Sequence, residues 1–279
     1  MVQLASVAIP GPALPPLHAT LSRAERHHLA EWYIAWALIV FAVPLIGAGL
    51  LELHHDLYLL IYFTVVGTFL ASFVAHTHLD WRGWLRTRLW WSIAAGAVVG
   101  FAIVRNVFSE ASMAHPSGSF YWFELAWRGV LYGTVDALSL FVFPATVAYL
   151  LLRDSDHRRR LRFAGLTLVL TMGITAAYHL GYPQFRGSDL VQPEIGAVIA
   201  TIPTALTGNP VGAIVAHATY HVGANVHTYG SAIYLPPDLN GYAERGSGTA
   251  GLALAALWIV IAGTVICSER RRLFPASER

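Results

Sequence analysis

Three short stretches of this 279-residue chain carry ionisable side chains among apolar neighbours. In FYWFELAWRGVLYG, Phe120 to Gly133, Glu124 and Arg128 lie four residues apart. A helix puts them on one face with the acid N-terminal, the order an ion pair prefers. Phe120, Tyr121, Trp122, Phe123 and Trp127 surround them, and neither charge persists alone in such surroundings. The pair reads either as a functional acid held by its partner or as a buried ion pair locking two helices. TMGITAAYHLGY places His179 at the end of an apolar run, where a histidine is either interfacial or functional. TGNPVGAIVAHATYHVGAN sets His217 and His221 four apart on one face, with Asn225 one turn further. Two histidines so spaced can share a metal ion. Ala218 follows His217, so the glutamate of an HExxH zinc peptidase is missing. Two neutral imidazoles could instead bond each other or a backbone carbonyl. Asp136 and His76 are further ionisable residues inside apolar segments, and such residues in lipid default to functional hypotheses. The spacing of Asp136 assigns it no role.

The elements that must position these groups are membrane helices. The chain is 56 % hydrophobic and 12 % charged, with mean hydropathy +0.53; soluble domains carry about 25 % charged residues. No Asp, Glu or Arg occurs in 32–51, 57–79, 89–104, 163–185, 195–237 or 246–268. Uncharged runs of about 18 or more residues read as membrane spans. They are continuous rather than alternating, which excludes a transmembrane barrel. The composition also excludes a soluble enzyme, a disordered chain and a nucleic-acid binder. One cysteine, Cys267, excludes an internal disulfide and a cysteine-based metal cage.

The fold class is therefore all-α, a polytopic bundle of about eight spans: 32–52, 57–77, 88–107, 119–152, 162–181, 191–207, 210–230 and 248–268. Gly129 and Gly133 are expected to break the long fourth segment into a short helix 119–132 and a span 134–152. Residues 208–210, Gly-Asn-Pro, signal a turn after the sixth span. All 18 basic residues are arginine. They crowd 23–26, 82–88, 153–162 and 270–272, with Arg279 last in the tail, leaving Arg105 and Arg128 in or near spans and Arg186 and Arg245 in the opposite loops. That asymmetry puts both termini in the cytoplasm. Residues 1–31 read as a loose tail without a cleaved signal peptide, then a short interfacial helix from Ser22, with Glu25 completing a capping box. Residues 32–268 form one transmembrane domain with its motif-bearing core at 119–230, and 269–279 a cytoplasmic tail. The arginine, alanine, glycine and valine usage points to a bacterial plasma membrane.

Taken in order, the motif segments resemble the CPBP family of CAAX proteases and bacteriocin-processing intramembrane proteases. That family carries Glu-Glu-x-x-x-Arg, Phe-x-x-x-His and His-x-x-x-Asn on successive membrane helices. ELAWRG, from Glu124 to Gly129, matches the second Glu, the Arg and the following Gly; His179 takes the second-motif position and His217 the third. The match covers about 120–222. Phe123 stands where the family has its first Glu, Thr175 where it has Phe and His221 where it has Asn.

The resemblance implies an intramembrane endopeptidase acting on a membrane-associated peptide. Glu124 would be the base that activates water, held ionised by Arg128. His179 would share the water or protonate the leaving amine, and His217 and His221 would bind the oxyanion. No cofactor is required by this scheme, and no stoichiometric zinc is expected; the alternative is zinc on His179, His217 and His221. The partners are membrane lipid and the peptide, with no nucleic acid. Phe123 feeds a second reading, a non-catalytic scaffold, immunity factor or partner subunit in the membrane. His54, His55, His76 and His78 feed a third, another histidine-rich membrane hydrolase or haem-binding subunit.

Overall fold

The computed structural model describes residues 22–77, 79–109, 112, 118–152 and 159–227, without the side chains of Phe120, Glu124 and Arg159. Every regular element among them is helical. The tail 1–21, His78, the eighth expected span 248–268 and the tail 269–279 lie outside the described residues.

Helix α1 spans Arg23–Leu50. Ser22 caps it: its hydroxyl accepts from Glu25 N–H while the Glu25 carboxylate accepts from Ser22 N–H, a capping box. The expected interfacial helix is thus the first turns of the first span, with no break between them. Past Pro44 the winding loosens to π type over Leu45–Leu50, because proline lacks the N–H that would continue the ladder. Helix α2 follows over His55–Thr77, then a short α3, Trp81–Arg86, and α4, Leu89–Val107.

Helix α5, Tyr121–Leu151, stays helical past both glycines instead of breaking. It absorbs its length by under-winding, with π-type turns at Leu125–Leu131 and Leu138–Val142. Pro144 lies just after the second, where its ring would otherwise meet the carbonyl four residues back. Helices α6, Arg159–Leu180, α7, Val191–Thr207, and α8, Val211–His227, complete the described chain.

Among the described residues, six helices are long and apolar enough to cross a membrane. The expected seventh span appears as the 17-residue α8. Trp90, Trp91, Val98 and Phe101 are 70 % exposed or more on α4, an outer face suited to lipid. Inside, Trp36 stacks on Phe69 at 4.2 Å and Phe73 meets Phe143 at 4.9 Å, tying α1, α2 and α5 together.

Two devices set the register of α8. Gly208 ends α7 in the left-handed conformation, φ 73°, and Asn209 follows it fully buried. Its side-chain amide donates to the carbonyls of Leu85 and Thr87, both at 2.7 Å, while its Oδ1 accepts from Val211 N–H. Further along, Gly96 and Gly100 of α4 let the backbones meet. A Cβ on Gly96 would sit 2.3 Å from the Gly212 carbonyl oxygen. This small-xxx-small spacing is how membrane helices approach closely.

Candidate functional site

With α8 fixed, His217 and His221 face α5. Gly133 permits the contact, since a Cβ there would lie 2.9 Å from Ala218 Cα and 3.0 Å from His221 Cβ. One turn on, between the two π segments, stands Asp136. Its Oδ2 lies 2.8 Å from His217 Nε2, and its Oδ1 accepts a 2.6 Å bond from the Tyr62 hydroxyl on α2. His221 Nε2 is 3.2 Å from His217 Nε2, as is the Tyr220 hydroxyl. Asp136, His217 and His221 are each 2–3 % exposed.

His217 Nε2 thus faces three polar atoms, yet a neutral imidazole offers one hydrogen or one lone pair there. A proton can satisfy one contact at most. Donor atoms of Asp136, His217 and His221 all lie within 4.8 Å of one another, so the group could hold a metal ion. Ligands at about 2.0–2.1 Å around a tetrahedral ion are spaced about 3.3 Å apart, close to the 2.8 and 3.2 Å separations. The outer nitrogens tell in the other direction. Nδ1 of His217 and of His221 is buried with no hydrogen-bond partner among the described residues. Ligating histidines usually donate from that atom, and losing such a partner costs about 10–100-fold in metal affinity. The group could hold a divalent ion.

The cluster forms part of the wall of a cavity of about 460 Å³. Leu140, Phe141 and Ile199 give it an apolar lining, with Thr175, Tyr178 and His179 on the α6 side. Ala102 and Asn106 of α4 and Gln192 and Ile195 of α7 line it and are also exposed. The cavity therefore opens between α4 and α7. His179 Nδ1 is 2.8 Å from the Thr175 carbonyl. A carbonyl only accepts, so Nδ1 carries the hydrogen and Nε2 of the neutral ring keeps its lone pair.

The structure thus brings His179, His217 and His221 to one cavity. The metal-capable group, however, takes Asp136 where the sequence reading has His179. Arg128 is buried and donates through Nε and Nη2 to Asp56 Oδ1 of α2, at 3.3 and 3.2 Å. The side chain of Glu124 lies outside the described residues. His76 accompanies His28 and Trp32 elsewhere. Asp136 and its anchor Tyr62 are what the spacing did not assign. The available signal was that Asp136 has no basic residue three or four positions away, so its partner had to come from another helix.

No known protein family, curated protein or solved structure matches this chain. Fold and site together define a class: a multi-pass type of helical protein, by helix length and composition, with a buried Asp/His/His group that could hold a metal. The likeness to CAAX proteases rests on its motifs alone.

Proposed function

We propose that this protein is a membrane-embedded hydrolase that cleaves a membrane-associated peptide at the Asp136–His217–His221 cluster. One observation carries the reading: a buried carboxylate and two imidazoles converge on the wall of a largely apolar cavity that opens between two helices. A peptide held in the membrane reaches such a cavity sideways, without crossing a polar loop. A divalent ion held by these three side chains would supply Lewis-acid polarisation of a carbonyl and a more acidic water. His179, with its Nε2 lone pair, takes the proton from water and returns it to the leaving amine. Glu124 is the base that the motif resemblance nominates for the same step, and Arg128 holds the turn that carries it. Phe123 supports the scaffold reading: it is 49 % exposed and stacks on Trp127, and it cannot move a proton.

The test is cleavage of a membrane-tethered fluorogenic peptide by protein in lipid nanodiscs, with and without added Zn²⁺ or Mn²⁺. Wild type is expected to cleave, and Asp136→Asn, His217→Ala and His179→Gln each to lose about 10²–10⁴-fold, the range for a lost acid or base. Glu124→Gln decides the base: inactivity keeps Glu124 in the proton path, full activity assigns it to His179 alone. An inactive wild type beside an active Phe123→Glu would overturn the peptidase reading in favour of a lapsed enzyme serving as a scaffold.

A further inference from the structure

The helix turn that carries the two cluster histidines also carries a phenol. His217, Tyr220 and His221 fall within the run HATYH. Three and four positions on from His217, Tyr220 and His221 flank it on the same helix face. Both imidazoles hold the Tyr220 ring in place. It lies edge-on to His217 at 4.5 Å and 78°, and stacks on His221 at 4.6 Å and 29°. Its hydroxyl is 3.2 Å from His217 Nε2, and makes no other hydrogen bond among the described residues.

Three polar atoms therefore surround His217 Nε2: Asp136 Oδ2 at 2.8 Å, His221 Nε2 at 3.2 Å and Tyr220 Oη at 3.2 Å. One hydrogen or one lone pair on that nitrogen serves one of them. Hydrogen bonding, in whichever direction it runs, leaves the other two approaches without a bond to that nitrogen. Four donor atoms around one cation meet no such limit. Each corner of a tetrahedral ligand set has three neighbours about 3.3 Å away, and His217 Nε2 has three such neighbours. The donor atoms of Asp136 and His221 also lie within 4.8 Å of each other.

We infer that Tyr220 is the fourth ligand of a divalent cation at the Asp136–His217–His221 cluster, and the ligand that gives way when a water enters from the cavity. This deepens the proposed function and rests on its ion, not on peptide cleavage. On binding, the phenolic oxygen offers a lone pair to the cation and releases its hydrogen to solvent as a proton. The other three ligands are fixed: each is 2–3 % exposed, and Tyr62 holds the far oxygen of Asp136. Tyr220 is only partly buried and lines the main cavity, so its ring has space to swing into. As it leaves, it regains a proton from the water that replaces it.

The experiment is copper loading of the protein in lipid nanodiscs. Cu²⁺ binds nitrogen and oxygen ligands more tightly than Zn²⁺, and a phenolate on Cu²⁺ gives a visible charge-transfer band that imidazole and carboxylate ligands do not. The copper that counts is the ion lost in His217→Ala. Wild type should hold about one such ion per chain and show the band. Tyr220→Phe keeps the ring against both imidazoles; it should lose the band and bind copper about 10–100-fold more weakly, at least the loss expected for a partner outside the ligand shell. Azide, a small competing ligand, should bind the copper of Tyr220→Phe at lower concentration than that of wild type, and should bleach the wild-type band as it binds. Copper bound by wild type without the band overturns the inference whether or not Tyr220→Phe folds. So does a band of equal strength in Tyr220→Phe, and so does a wild-type band that survives azide binding. Copper binding that His217→Ala leaves unchanged removes the ion from the cluster and the inference with it. A wild type that shows the band but cleaves no peptide overturns the peptidase reading and leaves Tyr220 a ligand.

Discussion

Arg128 shows how a buried charge is held between helices. The guanidinium sits 8 % exposed beneath the aromatic run of α5 and reaches across to Asp56 in the first turn of α2. The Asp56 side chain is 28 % exposed, so water shares the carboxylate and the pair is worth less than a fully buried one. A hydrogen bond to a charged group contributes about 1.5–3 kcal/mol. Arg128→Ala is expected to destabilise the protein by about 2 kcal/mol, seen as a lower thermal midpoint in detergent. Asp56→Asn should lose less, because its amide oxygen still accepts from Arg128. Wild-type stability for Arg128→Ala would mean that the pair holds nothing together.

Asp136 offers a second contrast between charge and shape. Asp136→Asn keeps an acceptor for Tyr62 and a group of equal size beside His217, so the fold should survive with a thermal midpoint near wild type. The carboxylate charge is lost, and with it the attraction for a cation. Dialysis against Zn²⁺ followed by elemental analysis should find about one ion per chain in wild type, and none after treatment with a chelator. Asp136→Asn and His217→Ala should hold far less. Equal zinc in wild type and both variants would place the ion elsewhere.

At the scale of elements, the site depends on how closely α8 can lie against α4 and α5. Gly96, Gly100 and Gly133 are the points of approach, and each sits where any Cβ would collide with backbone or with a β-carbon. Overpacking a tight contact typically costs about 1–3 kcal/mol. Gly96→Leu should reach the upper end of that range or beyond, since the obstacle is the Gly212 carbonyl and not a side chain that can swing aside. Gly196, whose Cβ would meet nothing within 4 Å, is the control: Gly196→Ala should leave the thermal midpoint unchanged. A wild-type midpoint for Gly96→Leu would show that α4 and α8 do not pack as described.

At the scale of the molecule, the apolar surface and the arginine pattern have to agree. Trp90 and Trp91 stand exposed at the start of α4, directly after Arg86 and Arg88. Aromatic residues beside arginines are what a membrane boundary calls for. Eight crossings would put 153–162 and the last loop on opposite sides. Reporter fusions at residues 156 and 238 should therefore give opposite compartments, the first cytoplasmic. The same compartment for both would overturn the span count.

The membrane-length helices were legible in the sequence because lipid allows little else: a run with no charge and a full complement of backbone polar groups must close its hydrogen bonds within a helix. The cap at Ser22 and the turn after Thr207 were legible too, since each depends on a few adjacent residues. His217 and His221 share a site because four residues make one turn of one helix. Asp136 could not be joined to them from spacing. It stands 81 residues from His217, and whether two helices meet at matched height is decided by glycines on both and by the turn before α8. The long fourth segment was expected to break at Gly129 and Gly133 and stays helical. Ordinary α periodicity assigns faces along it, but the π-type turns at Leu125–Leu131 and Leu138–Val142 rotate the residues beyond them onto other faces. Sequence set which residues are helical and which charges are out of place; only packing decided which of those charges meet.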